Sequence, residues 1–495
     1  MIIQLIKNKL LKYIILYLID LDILNLSHTI KKVRKYIIIN KFITFTLNNK
    51  ISIKYYTKFK FRKYINNLGN IKSLNLNNNI LEDVTVLSNI HTLNLSYCKN
   101  ITDVTALKNV HTLDLSYSLI TDITPLSSIY NLNLSHCSNI TDITPLKNVH
   151  TLNLAWCKKI KDVSPLHKVH TLNLSYCNKI INISSLSSVY MLNLIWCDNI
   201  TDISKLGNIH TLNVTQCYKI TDISKLANIY NLNLSWCYNI TNIEPLSNVH
   251  TLNLAWCENI TNISSLCNVH TLNLSYCTNI TDISPLKNVH TLNLSYCNIN
   301  DISALKNIHT LNLSHCSNIT DISSLKNVHT LNLSYCNNII DISLLKNVHT
   351  LNLSFCNNIT NVHTLGNVYN LNLTRCINIT NVETLGNVCN LNLSHCTNIT
   401  DVEALGNVTN LNLSHCTNIT NVKSLGNVYN LNLTHCINIT NVDALYNVYN
   451  LNLTHCTNIT NIEKLINIPI LNISYCNNKL NTYNILSKKK VNFKL

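Results

Sequence analysis

Thiols and imidazoles at fixed spacing are the raw material of metal centres and of nucleophilic catalysis, and this chain of 495 residues holds 21 Cys and 20 His. Cys137, Cys157, Cys177 and Cys197 open a series that continues at intervals of twenty residues, nineteen in one case, to Cys456 and Cys476. A second series, seven residues ahead of the first, contains His91, His111, His150, His170, His210, His250, His270, His290, His309, His329 and His349. Zinc requires a closed set of about four ligands. One thiol and one imidazole per period form endless columns instead, so no metal and no cofactor are expected. Ser, His and Asp also occur throughout by repetition, which makes any triad drawn from them uninformative. Six glycines supply no phosphate-cradling loop. The expectation is a protein that is not an enzyme.

The elements that carry these columns follow from the repeat itself, V-H-T-L-N-L-S-Y-C-N-N-I-T-D-I-S-P-L-K-N, which begins near Ile71 and runs almost to the end. Positions are counted from the opening aliphatic residue, so that Val289 is position 1 and Cys297 position 9. Positions 1, 4, 6, 12, 15 and 18 are nearly always Ile, Leu or Val. T-L-N-L-S alternates with period two, the pattern of a half-buried strand. I-T-D-I-S-P-L is too short for a proper helix and suits a turn or 3₁₀ segment, with Asp or Asn at position 14 capping it. These residues resemble a leucine-rich-repeat solenoid of roughly twenty-one coils, with a parallel β-sheet on the concave face, short turns or 3₁₀ segments on the convex face and a small α-helical N-terminal module. The expected divisions are 1–66 for that module, 67–476 for the array and 477–495 for a basic cap or tail.

Composition narrows the partners. Hydrophobic residues make up 46% of the chain, yet no uninterrupted apolar run of about eighteen residues exists to span a membrane. The net charge of +15 is concentrated at the ends: residues 1–72 have thirteen Lys and two Arg against Asp20 and Asp22, and Lys479, Lys488, Lys489, Lys490 and Lys494 lie at the other end. The coils between are close to neutral, which argues against nucleic acid along the sheet. Lys7, Lys9 and Lys12 interrupt the first apolar run, unlike a signal peptide. Unpaired thiols and the glycosylation triplets N-L-S and N-I-T in most coils suit a reducing compartment. The expected place is the cytoplasm, with the nucleus as an alternative.

The N-terminal segment has helical spacing at Leu10, Leu11, Ile14, Ile15 and Leu18, a turn at Asp20 to Asp22, and a second apolar stripe including Leu24, Leu26 and Val33. K-L-L-K-Y-I-I-L-Y-L-I-D-L-D-I-L-N-L-S-H-T-I-K-K-V-R-K-Y-I resembles an F-box over about forty residues, departing from it at Ile6-Lys7, where the family has Leu-Pro. The coils are similar to the cysteine-containing leucine-rich repeats of F-box proteins, and I-T-D-I-S-P-L to the short repeats of internalin-like proteins. Residue choice resembles that of large DNA viruses or protists, which for a viral protein implies host cytoplasm. The F-box resemblance implies a substrate-recruiting subunit of a cullin-based ubiquitin ligase, its adaptor held by Leu10, Leu11, Ile14, Ile15, Leu18, Leu24, Leu26 and Val33 and its protein target by the repeats. The alternative is a plain binding or scaffold array whose N-terminal helices only cap it.

On the sheet, positions 3, 5 and 7 should face outward, flanked by 2 and 8. Position 5 is Asn in nearly every coil, Asp114 being an exception, and its amides should bond to one another along the stack. Position 8 varies and holds all four tryptophans: Trp156, Tyr176, Trp196, Trp236, Trp256 and Tyr276 lie in this column. Strand alternation is expected to point it away from the core, as a contact surface for a protein or as a stack covering the strand edge. Coils to Leu351 mostly read H-T-L-N-L, and those from Tyr369 read Y-N-L-N-L or similar with Gly366, Gly386, Gly406 and Gly426 at position 19, so two duplicated blocks are evident.

Overall fold

The computed structural model describes residues 72–78, 81–460 and 462–476. The segment resembling an F-box, with Leu10, Leu11, Ile14, Ile15, Leu18, Leu24, Leu26 and Val33, and the segment 477–495 both lie outside the described residues. The chain divides into two compact units between Asn239 and Ile240. Among the described residues the first has nine strands, β1 (Ser73–Asn75) to β9 (Asn231–Asn233), and the second has twelve, β10 (Thr251–Asn253) to β21 (Ile470–Asn472).

Each strand occupies positions 3 to 5 and pairs in parallel with the same positions of the next coil in its unit. Thr92, Leu93 and Asn94 face Thr112, Leu113 and Asp114 in the first unit, and Asn390, Leu391 and Asn392 face Asn410, Leu411 and Asn412 in the second. Backbone bonding continues past the strand's end. The N–H of Leu95 donates to the carbonyl of Asp114 at 2.7 Å and that of Tyr97 to the carbonyl of Ser116 at 2.8 Å. Because the coils within each unit repeat these bonds, they are held in one register whatever their surface residues.

The core is the set of positions expected from the pattern. In one coil Val269, Leu272, Leu274, Ile280, Ile283 and Leu286 are 0–3% exposed. Their side chains converge because positions 4 and 6 share one face of the strand, while 12, 15 and 18 return along the opposite side. A coil has no second layer of its own, so its stability comes from its neighbours.

The opposite side is built of 3₁₀ turns, and no α-helix occurs among the described residues. Ser284–Asn288 is typical: Pro285 sits where its missing N–H costs nothing, and the N–H of Leu286 donates to the carbonyl of Ile283 at 3.0 Å. Asp282 Oδ1 accepts the N–H of Ser284 at 2.8 Å, and Asn242 does the same for Glu244 at 3.0 Å, so position 14 caps the turn as its chemistry suggested. One coil of the second unit is a residue short after Cys297, yet Thr291 still pairs with Thr310; the deletion is absorbed in the turn. At Gly406 an added Cβ would lie 2.5 Å from the carbonyl oxygen of Ser424, so the glycine-bearing coils nest closely at position 19.

Candidate functional site

The cysteines turn inward, as expected. Cys177 Sγ donates to the carbonyl of Leu154 at 3.2 Å and Cys277 Sγ to that of Leu254 at 3.1 Å, and both residues are fully buried. Each thiol therefore satisfies a backbone carbonyl of the preceding coil. Burial pushes the Cys177 thiol up to about 12 and Cys297 up to about 11, which leaves them protonated and poorly nucleophilic. The position-2 imidazoles are also engaged: Nδ1 of His170 meets Thr171 Oγ1 at 3.2 Å, and Nδ1 of His329 meets Thr330 Oγ1 at 3.3 Å. Their rings stack coil on coil, His150 on His170 at 4.6 Å and His270 on His290 at 4.7 Å. Among the described residues no group of three or more His, Cys, Asp or Glu is placed to hold a metal ion.

Position 8 points outward, most of its rings half-buried, for a different reason from the one its sequence suggested. Every described position-8 residue has a positive φ, from 57° at Trp196 to 66° at Trp156. The strand has already stopped at position 5, and the N–H of position 9 closes a turn on the carbonyl of position 6, as Cys277 does on Leu274 at 3.1 Å. Position 8 is the third residue of that turn, where glycine or asparagine is usual. Had the strand continued, the alternation that turns positions 4 and 6 inward would have turned position 8 inward with them. The left-handed residue reverses this and throws the ring out. Position 7 is corrected too: Ser175, Ser275 and Ser394 are buried instead of facing outward.

The rings stack within each unit. In the first, Trp156 lies on Tyr176 at 4.1 Å and Tyr176 on Trp196 at 5.7 Å. Gln216 then interrupts the column, and two tyrosines at position 10 pack edge-on: Tyr218 against Trp196 at 6.2 Å and Tyr238 against Trp236 at 5.9 Å. Lys158 Nζ sits over the Trp156 ring at 4.9 Å, a cation–π contact. In the second unit Trp256 lies on Tyr276 at 3.7 Å, and Tyr276 on Tyr296 at 4.2 Å. Farther along, Arg375 covers Phe355 at 5.3 Å and His395, His415, His435 and His455 stack at 4.1–4.4 Å. Burial, followed by the charge of Arg375, holds His395 below the usual imidazole range.

The expected amide ladder at position 5 is not what forms. Each Asn Oδ1 there accepts the N–H two residues on in its own coil, as Asn273 does from Ser275 and Asn392 from Ser394, both at 3.0 Å. A partner two residues away needs no neighbouring coil, so the local bond wins. The ladder stands at position 3 of the second unit, which the sequence reading missed: Asn390, Asn410 and Asn430 each donate Nδ2 to the Oδ1 of the preceding coil's Asn370, Asn390 and Asn410. The change from H-T-L-N-L to Y-N-L-N-L was its signal.

No protein-family model matches the chain, and no curated protein matches it. Solved structures do. The TLR13–ssRNA13 complex is similar at 20% identity and a TM-score of 0.60, over 84% of this chain and 76% of that one. An internalin (inlF) from Listeria monocytogenes gives 25% identity and a TM-score of 0.38, over 62% of this chain and 88% of that one. The functional domain of InlJ from Listeria monocytogenes, described as including a cysteine ladder, gives 17% and 0.32, over 80% and 70%. Repeat, strand register and 3₁₀ turns together define a leucine-rich-repeat solenoid with short coils. The likeness to TLR13 at this identity is one of fold.

Proposed function

We propose that the chain is a non-catalytic recruiting protein, with the rings of position 8 as the surface that holds a protein target. The supporting observation is conformational. A positive φ disfavours a side chain by roughly 1–2 kcal/mol at a non-glycine residue, yet every described position-8 residue carries one, and most carry a ring. Strain maintained in coil after coil points to a use for the side chain. Trp156, Tyr176, Trp196 and Trp236 in the first unit, and Trp256 and Tyr276 in the second, are the residue types that dominate binding energy at protein interfaces. They are half-buried, so ring edges remain available.

The adaptor side of the proposal rests on the sequence pattern over 1–66. Leu10, Leu11, Ile14, Ile15, Leu18, Leu24, Leu26 and Val33 would present the apolar surface that a cullin-ligase adaptor covers. The test is a binding assay between the full chain and the purified adaptor, with Leu11→Asp and Leu18→Asp as variants. Capture by the native chain that both variants lose is the expected result. A correctly folded native chain that captures no adaptor would refute the recruiting role and leave a binding array with capped ends.

A further inference from the structure

The second unit has a groove of about 650 Å³ on its sheet face, running from β15 (Thr350–Asn352) to β20 (Asn450–Asn452). Its floor is made of positions 3 to 5: asparagines, Thr350 and the intervening leucines, with no charged residue. The position-5 asparagines Asn352, Asn372, Asn392, Asn412, Asn432 and Asn452 all spend Oδ1 on the N–H two residues on, at 3.0–3.1 Å. At Asn372, Asn432 and Asn452 a threonine hydroxyl also donates to the same oxygen at 2.6 Å. None of these six side-chain nitrogens donates to another protein group among the described residues. What remains is a row of neutral N–H donors, one amide per coil, at the strand spacing of about 4.8 Å.

A periodic floor is complementary to a periodic ligand. A folded protein surface is not periodic. An extended peptide is, but its same-side carbonyls recur about every 6.6 Å, and its own N–H groups would meet position-5 oxygens that already accept one bond at Asn352, Asn392 and Asn412 and two at Asn372, Asn432 and Asn452. A single-stranded nucleic acid brings phosphates that need cations, and this floor has none. The fitting ligand is uncharged, rich in oxygen acceptors and repeats near one strand spacing. A pyranose with its linkage does so, and its hydroxyl, ring and bridging oxygens can all accept. Tyr429 and Tyr449, stacked on each other at 4.6 Å and 49% and 41% exposed, stand beside the strands at position 2 and present ring edges and hydroxyls along the groove's flank. We infer that this groove binds a linear, neutral glycan, about one sugar per coil, through the amide nitrogens of the position-5 asparagines. The inference is independent of the adaptor reading.

The test uses the full chain and three soluble probes, namely oligomers of β-1,4-glucose, β-1,4-N-acetylglucosamine and α-mannose of increasing length, titrated by calorimetry at low and high salt. One series should bind, with affinity rising with length until the oligomer fills the groove and with little response to salt. Asn392→Asp combined with Asn432→Asp removes two donor groups, two coils apart, and should weaken binding about tenfold or more. The fold should accept the change, since Asp114 occupies this column and takes the N–H of Ser116 at 2.9 Å. Asn253→Asp, in the same unit outside the groove, should leave binding unchanged. Failure of all three series, equal binding by the double variant with circular dichroism unchanged, or salt-sensitive binding of an RNA homopolymer in their place would overturn the inference.

Discussion

At Tyr276 glycine should outperform alanine, the reverse of the usual order. Tyr276 has a φ of 61° and stacks between Trp256 at 3.7 Å and Tyr296 at 4.2 Å. Either substitution removes two ring contacts, each worth about 0.5–1.5 kcal/mol beyond area burial, so both variants should lose about 1–3 kcal/mol. They differ in the backbone. Alanine retains the left-handed penalty of about 1–2 kcal/mol, whereas glycine avoids it and gives up about 0.5–1 kcal/mol of extra chain entropy. The balance favours Tyr276→Gly by about 0–1.5 kcal/mol, centred near 0.75. At Thr271, inside strand β11 (Thr271–Asn273), the order should be normal, with glycine worse by about 0.5–1 kcal/mol. Solenoids need not unfold in one step, so the measurement is hydrogen exchange at Cys277 and its neighbours beside the urea midpoint. If Tyr276→Gly trails Tyr276→Ala by the Thr271 margin, the left-handed turn is not what shapes this column.

Thiol labelling of the native chain should modify Cys267, Cys389 and Cys476, which are partly exposed, while the other eighteen cysteines react only after unfolding; rapid native labelling of Cys277 would contradict the inward column. Stability should form a plateau in pH. His395, His415 and His435 are held below their ordinary 6.5 by burial first, so unfolding takes up protons, and their contribution is complete above 6.5 and lost as pH falls through the depressed folded values. The thiols are raised above their ordinary 9.0, Cys177 to about 12, so theirs is complete below 9.0 and lost as pH rises. A urea midpoint that increases on acidification from about pH 7 to 5 would contradict the histidine part. Gly406→Ala should destabilise the chain by about 1–3 kcal/mol through the Ser424 carbonyl, measurable as a lower midpoint at unchanged m; an unchanged midpoint would show that the next coil yields freely.

What was legible in the sequence is whatever depends on period alone. Leu272, Leu274 and Leu286 had to be core because their spacing repeats, Asp282 had to cap because a 3₁₀ turn begins two residues on, and Cys277 had to turn inward at the corner. The outward direction expected of position 8 holds, but alternation is not its cause: a longer strand would have turned position 8 inward, and the left-handed turn after a three-residue strand points it out. Asn78, the one asparagine in that column, has a φ of 57° and was the available hint of a left-handed turn. The position-5 amides were assigned to one another because they recur. A recurrent residue can equally repeat a bond within its own coil, and Asn273 with Ser275 does so. At position 3 the strand has already committed the backbone to the sheet, and there the amides of Asn390 and Asn410 do reach across.

The short coil after Cys297 has an evolutionary consequence. A missing residue is absorbed in a turn while Thr291 and Thr310 stay aligned, so the gene can err by a codon, or gain and lose whole coils by unequal crossing over, without altering how neighbours bond. Length then becomes a heritable variable separate from folding. Each coil inserted between Thr350 and Asn452 would lengthen the asparagine row by one tooth, and related genes could differ in reach the way rulers differ in length, with the same graduations.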